Sequence, residues 1–280
     1  HGHCESTSYS RHFNTVSSVK LAKNKIETST LLDKSGIPIP KFEMVSIREP
    51  AKKVVKKLAQ KKIKFPIVLK PIKGTFGIDV IANIENNFEL HEALTMLKTK
   101  PYLYMMCEEF IPGDVYRIFV FNNQVIDIIK REQPFVLGDG VSTVDSLIKN
   151  KNREQIKKGL FPTENVAYPY IKKQGYDRND AIGNYHKVYI SNVINAHNGA
   201  RISRIDTQNI PSKNIDLFLK VGEVMDIKCY GLDYISQDIN QPYDKGRNVI
   251  LEVNGTPDTE LHVTDGNGKK FFDKIVKRIF

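Results

Sequence analysis

Two apolar, strand-like runs near the C-terminal end constrain the fold of this chain more than any other feature. The first is Gly231-Leu232-Asp233-Tyr234-Ile235-Ser236-Gln237-Asp238, and the second is Val249-Ile250-Leu251-Glu252-Val253-Asn254-Gly255-Thr256-Pro257. Each carries hard-oxygen side chains among hydrophobic neighbours. A carboxylate buried in such a run is costly unless a cation or partner offsets its charge. The chain must therefore bring Asp233, Glu252 and Asn254, with Asp238 close behind, to a counter-charge or leave them on a wet edge. Glu252-Val253-Asn254 alternates, so both polar residues share one face of a strand. Gly255-Thr256-Pro257 ends that strand at once, where ligands gather. Mg²⁺ suits the set, since it takes a few such oxygens and leaves its other positions to water and phosphate. Mn²⁺ is the alternative ion. Outward polar residues on paired edge strands are the competing reading, and metal binding is preferred over it.

The bulk numbers narrow the class. At 280 residues the chain is long enough for a substantial core and one or two domains. Hydrophobic residues at 40% and charged residues at 26% describe an ordinary globular protein. No apolar run approaches the roughly 20 residues of a membrane helix, and the N-terminal stretch has no apolar signal segment. A cytoplasmic setting with no membrane partner is expected. Cys4, Cys107 and Cys229 are scattered, without zinc or disulfide spacing, and read as idle thiols. The formal net charge of +10 fits a polyanionic small ligand. Lys52, Lys53, Lys56 and Lys57 suit the wet face of a helix whose other face carries Val54, Val55 and Leu58. No nucleic-acid motif accompanies the charge, so a basic nucleic-acid-binding module ranks low and no nucleic-acid partner is expected.

Along the chain, Val19–Ser35 reads as a helix stopped by Gly36-Ile37-Pro38-Ile39-Pro40. Helices are also expected over Ala51–Gln60, Asn87–Lys98, Asn214–Lys228 and Lys269–Phe280. Phe65–Lys70 and Ile78–Ala82 read as strands joined by a glycine-bearing loop, Pro71 to Gly77. Val115–Phe121 and Gln124–Lys130 form a hairpin around Asn122-Asn123, because Asn tolerates positive φ. Residues 133–200 form a long polar insertion, of a kind that is functional or mobile. Helices mixed with hairpins, without βαβ alternation, indicate an α+β fold.

Several local patterns suit phosphate. Lys70 ends an apolar strand just before Lys73, Gly74 and Gly77, so a cation and accessible backbone N–H groups can meet an anion together. The loop matches no standard phosphate motif, and a solvated lysine is the competing reading. Glu108-Glu109-Phe110-Ile111 is either a segment whose backbone pairs with adenine while a carboxylate holds ribose, or a charged edge before a turn. Arg117 and Arg131 lie on the two hairpin arms and suit a transferring phosphoryl group, with solvent-facing strand arginines as the alternative.

Taken in order, Ile67-Val68-Leu69-Lys70-Pro71, the Gly74–Gly77 loop, Glu108 through Arg117, and Leu251 through Pro257 resemble the ATP-grasp superfamily of carboxylate–amine ligases. The pattern is nearest to the ATP-grasp domain of cyanophycin synthetases and to the glutathione-synthetase half of bifunctional glutathione synthases. Arg131 with Gly138-Asp139-Gly140 through Leu147 belongs to the same pattern, and the resemblance runs from about Val19 to the C-terminus. Only about 18 residues precede it, so the chain reads as a minimal stand-alone enzyme or as a piece of a larger one. One segment departs from the family: Ser191 stands where those relatives carry an arginine, and His197-Asn198-Gly199-Ala200 replaces their Ser-x-Gly-Gly. That segment contacts acyl phosphate or substrate in the family.

The resemblance implies two α+β lobes holding ATP between antiparallel sheets. A segment at 1–34 precedes a small lobe at 35–108 and a large lobe at 109–280 that contains the insertion. It also implies that Lys25 and Lys70 hold phosphates, Lys73–Gly77 forms a flap, and Glu108, Glu109 and Ile111 receive the nucleoside. Arg117 and Arg131 would serve the transferring phosphoryl group or the substrate carboxylate. Asp233, Asp238, Glu252 and Asn254 would hold the metal. The implied reaction joins a carboxylate of an amino acid or short peptide to an amine through an acylphosphate, forming ADP. A kinase on the same scaffold is the alternative, and self-association is left open.

Overall fold

A computed structural model describes residues 12–74, 77–191, 194, 198–263 and 267–279. Cys4, Thr75, Phe76, Asn192, Val193, Asn195, Ala196, His197 and Phe280, all within stretches discussed above, lie outside the described residues. The chain divides into two compact units, His1–Ile129 with Arg204–Phe280, and Lys130–Ser203.

The first unit opens with α1 (Val16–Ala22) and α2 (Lys25–Lys34). The single helix expected over Val19–Ser35 is thus two. The break has a local cause: Asn24 caps α2 by accepting from Glu27 N, while the Thr28 hydroxyl donates to Leu21 O at 2.8 Å. Lys25 N donates instead to Ile72 O at 3.0 Å, which ties the start of α2 to the loop beyond the lysine strand.

A four-stranded antiparallel sheet follows, built from β1 (Phe42–Ser46), β2 (Ile67–Pro71), β3 (Ile81–Ile84) and β4 (Tyr104–Glu109) in the order β1-β4-β2-β3. Helices α3 (Ala51–Gln60) and α4 (Asn87–Leu97) contribute to its core. Val54 and Leu58 of α3 are buried there with Val45, Ile67, Leu69, Met105 and Cys107. Alternation leaves Met44, Lys70, Met106 and Glu108 on the other face, with Met44 opposite Met106 and Met106 opposite Lys70. β3 begins later than expected, because Asp79 takes φ 57° and its carboxylate accepts from Lys100 and Tyr102, which holds a turn there.

A five-stranded sheet contains β5 (Asp114–Phe121), β6 (Gln124–Glu132), β9 (Arg201–Ile205), β10 (Cys229–Ser236) and β11 (Val249–Asn254), in the order β11-β10-β5-β6-β9. β5 and β6 join at Asn122-Asn123, both at positive φ (49° and 58°), as the hairpin reading requires. One face of this sheet, with Tyr116, Ile118, Leu232, Tyr234 and Ile250, buries against α7 (Ser212–Met225) and α2. The other face carries Arg117, Asp233 and Glu252 in one cross-strand row and Phe119, Gly231 and Asn254 in the next.

The second unit, Lys130–Ser203, contains β7 (Phe135–Leu137) paired with β8 (Lys187–Tyr189), α5 (Val144–Lys157) and α6 (Tyr168–Lys173). Far from a bare loop, it buries Val136, Val144, Ile148, Ile171, Ile182, Val188 and Ile190 in a core of its own. Gly138 is required for space: a Cβ there would meet Gly183 O at 2.1 Å and Ile182 Cγ2 at 2.5 Å. Asp139 accepts from Val141 N, Ser142 N and Ser142 Oγ, and these bonds hold its carboxyl down at about 2. The Gly138-Asp139-Gly140 stretch is thus a fixed turn. Two short helices, α8 (Glu260–Val263) and α9 (Gly268–Val276), close the described chain. Among the described residues no helix is long and apolar enough to cross a membrane.

Candidate functional site

The row on β5, β10 and β11 is built by strand register. Asp233 lies between Arg117 on one side and Glu252 on the other. Arg117 Nε meets Asp233 Oδ1 at 3.0 Å, with both side chains largely out of water (12% and 14% exposed). Leu251 is an extra residue on β11, since Asp233 pairs with Glu252 while Tyr234 pairs with Ile250. Such a bulge re-aims the side chain beside it, and Glu252 Oε1 reaches Lys25 Nζ at 3.3 Å. Gly231, in the next row, leaves room for the Arg117 head group: a Cβ there would lie 2.9 Å from Arg117 Nη1 and 3.2 Å from Pro257 Cβ.

Lys25 joins this row to the glycine loop. Its ammonium also donates to Gly74 O at 2.9 Å, so the first residue of α2 holds Glu252 and the loop together. On the smaller sheet, Lys70 Nζ lies 2.7 Å from Glu108 Oε1, and both side chains are buried (8% and 4% exposed). Burial pushes the Glu108 carboxyl above its usual range, against the pull of Lys70; the charge of Glu252 adds to the rise and that of Lys25 opposes it. Glu109 pairs with Arg247 and accepts from Lys41 N, while Ile111 is buried just beyond.

The site residues expected from sequence thus separate. Lys25, Gly74 and Glu252 meet directly, as do Arg117 and Asp233, and Glu252 and Asn254 lie in successive rows of one face. The Asn254 amide nitrogen is buried and lacks a hydrogen-bond partner among the described residues. Asp238 has no such link. It is exposed in the turn after β10, where it accepts from Asn240 N and Nδ2. Lys73 is exposed, and Gly77 adopts φ 69°. Arg131 is buried on β6 in the second unit. In the segment that departs from the family pattern, Ser191 is buried, and Asn198 accepts from Glu164 N and Asn165 N, bracing the second unit. The buried Cys107 and Cys229 have thiols pushed up by burial, in keeping with idle cysteines.

Two features escaped the sequence reading. Asn14 clamps the start of β10 to the end of β11: its amide donates to Cys229 O and Gly255 O and accepts from Lys228 N and Cys229 N. Nothing local distinguishes that asparagine. Asp127, in the apolar run Val125–Ile129, gives the same signal as Asp233. It binds Arg204 and faces His262 Nδ1 at 2.8 Å. His262 is fully buried, stacked on Phe271 and edge-on to Phe119. Burial holds its imidazole below the ordinary value against the pull of Asp127.

Comparisons with known proteins bear on the fold. Residues 22–135 match the family model of the RimK-like ATP-grasp domain. The cyanophycin synthetase of Synechocystis is 25% identical over 258 residues, which cover 89% of this chain and 29% of that protein. The glutathione biosynthesis bifunctional protein of Desulfotalea psychrophila is 27% identical over 276 residues, 92% of this chain and 34% of its own length. The chain therefore spans about a third of these relatives. The crystal structure of a bifunctional glutathione synthetase from Pasteurella multocida superposes with a TM-score of 0.59 at 20% identity, covering 95% of this chain and 38% of that one. This chain has the ATP-grasp fold, and its residues 22–135 carry the RimK-like form of the ATP-grasp sequence pattern.

Proposed function

We propose that the chain is an ATP-dependent, ADP-forming carboxylate–amine ligase whose site is the charged cluster around Lys25, Lys70, Arg117, Asp233 and Glu252. The observation that carries this reading is the pairing of cations with hard-oxygen donors there: Arg117 with Asp233, Lys25 with Glu252, Lys70 with Glu108. Each cation now faces a carboxylate, and each can exchange that partner for a phosphate or a metal ion.

A triphosphate entering the site takes the ammonium groups of Lys25 and Lys70, whose carboxylate partners are then free for a cation. Asp233, Glu252 and Asn254 fit Mg²⁺ by the chemistry of their donors: two carboxylates and an amide oxygen on one face of the sheet. Bound there, Mg²⁺ would neutralise charge on the phosphate chain. Met44, exposed on the sheet face that carries Lys70, offers an apolar surface to the base, with Glu109 and Ile111 at the adjoining turn.

The substrate carboxylate oxygen attacks the γ-phosphorus, the bond to the bridging oxygen breaks, and ADP leaves. The amine nitrogen then adds to the acylphosphate carbonyl, inorganic phosphate departs, and the amine proton passes to solvent or phosphate. No protein nucleophile is needed. Alignment and charge neutralisation supply the rate, with Arg117 serving the transferring phosphoryl group. Amino acids or a short peptide as substrates follow from the resemblance to carboxylate–amine ligases, and a cytoplasmic setting is proposed alongside them.

The test is ATP-dependent phosphate release across a panel of amino-acid pairs, with products identified by mass spectrometry, for the wild type and Glu252→Ala. Condensed products from the wild type alone support the reading. Equal turnover in both proteins rejects the metal assignment. A phosphorylated acid that persists in the presence of amines makes the enzyme a kinase.

A further inference from the structure

Away from this cluster, two neighbouring cavities of about 420 and 390 Å³ open along β6 and α9. They share Ile126, Thr207 and Lys274 as lining. The floor of the smaller cavity is apolar, with Val125 and Ile126 from β6 and Ile215 and Leu219 from α7, while Asp127, Arg204, Asp206 and Gln208 line the larger one. The rim of both is cationic. α9 turns Phe271 and Ile275 into the core, and helical spacing sets Lys270 and Lys274, followed by Lys277 and Arg278, along the adjoining stripe.

Asp273, exposed on α9 one turn from Lys270 and Lys277, forms no ion pair among the described residues, whereas the two acids lining the cavities are engaged. Asp127 is held by Arg204 and His262, and Asp206 caps the turn at Thr207–Asn209 by accepting from Gln208 N. Lys274 donates to Ile126 O at 2.8 Å, while Lys270, Lys277 and Arg278 are exposed and form no ion pair among the described residues. A row of unpaired cations over an apolar floor is unfavourable alone and complementary to alternating acidic and apolar side chains.

We propose that this cleft is a docking site for an acidic peptide segment. From Lys270 to Arg278 the stripe runs about 12 Å, at roughly 1.5 Å per residue, and so spans three to four residues of extended peptide at about 3.3 Å each. Alternation then sends carboxylates to the cations and apolar side chains to the floor. Nucleic acid fits less well: stacking needs an exposed aromatic face, and the one aromatic ring lining these cavities, Phe271, is buried. This inference does not rest on the ligase reading.

Fluorescence anisotropy of a labelled, alternating Glu/Leu heptapeptide tests it on the intact chain without nucleotide. Saturable binding is expected, weakened at least tenfold by Lys277→Glu with Arg278→Glu. Lys52→Glu with Lys56→Glu, the same charge change on α3, should leave it within twofold. Thermal melts check that both variants fold, and Lys270→Gln with Lys277→Gln is a milder pair if the first does not. Equal weakening by the two charge-reversed pairs reduces the effect to net charge and overturns the proposal. So does equal binding of a Gln/Leu heptapeptide, or tighter binding of oligothymidylate with the same sensitivity to Lys277 and Arg278.

Discussion

Asp127 and Asp233 each interrupt an apolar strand of the same five-stranded sheet, and each meets an arginine, yet their surroundings differ. Asp127 is closed off by Arg204 and by His262, itself packed between Phe271 and Phe119. Asp233 also binds Arg117, but Glu252 stands opposite it, and Glu252 in turn reaches Lys25. The first carboxylate finishes a local structure, whereas the second belongs to a chain of charges that extends to the glycine loop through Lys25 and Gly74. A carboxylate in an apolar strand therefore marks an obligatory partner, and only the number of further charges within reach distinguishes a ligand site from a structural ion pair.

The sharpest way to break this contrast is to remove one carboxylate from each place. Glu252→Gln is expected to lower ATP-dependent turnover by about 10³-fold, roughly 4 kcal/mol in the barrier. Its thermal midpoint should hardly move, because a partly exposed ion pair contributes about 1 kcal/mol or less. Asp127→Ala should do the reverse. Leaving Arg204 and His262 without their shared carboxylate costs about 3 kcal/mol of stability, read by urea denaturation, while the folded fraction keeps its turnover. Should Asp127→Ala abolish turnover in a fully folded protein, the two clusters form one site.

Gly231→Ala asks a finer question of the Asp233 cluster. The new Cβ would lie 2.9 Å from Arg117 Nη1, the far end of a flexible side chain, so the guanidinium rather than the sheet gives way. Turnover about tenfold lower, with a stability loss under about 1 kcal/mol, is the expected pairing. Unchanged kinetics would show that the Arg117–Asp233 contact does not position the arginine for catalysis.

Legibility in the sequence followed the range of the forces involved. The Asn122-Asn123 turn was readable because two adjacent residues that tolerate positive φ leave few alternatives. Asp233, Glu252 and Asn254 were readable because strand alternation and burial are local rules. Lys25 was reached through family resemblance alone, since its partners Glu252 and Gly74 are remote in sequence. The helix break at Asn24 turned on one side-chain cap that competed with an unbroken helical pattern. The second unit read as a polar insertion because its core collects single residues from short segments, Val136, Ile171 and Ile182 among them. Asp127 carried a legible signal, but its meaning depended on Arg204 and His262, which only the fold brings near.

The smallest expected effect belongs to the second unit and tests whether its core is a folded interior rather than a loose insertion. Lys151 Nζ donates to Gln155 Oε1, Thr163 Oγ1 and Gly199 O, all neutral acceptors, and burial lowers its ammonium from 10.5 to about 8. Between those values the unfolded chain holds a proton that the folded chain has released, so this group's contribution to stability rises with pH across the interval; below about 8 its penalty is fully felt. Part of the side chain stays wet, which reduces the gain to about 1 kcal/mol. Lys151→Met removes the titration. The wild-type-minus-variant unfolding free energy, followed by circular dichroism in urea, should therefore increase by that amount from pH 7 to pH 10, whatever the tyrosines and other lysines contribute to both proteins. A flat difference would mean that the three acceptors hold the ammonium as well as bulk water does, and the second unit would then be wetter around α5 than its buried Val144 and Ile148 imply.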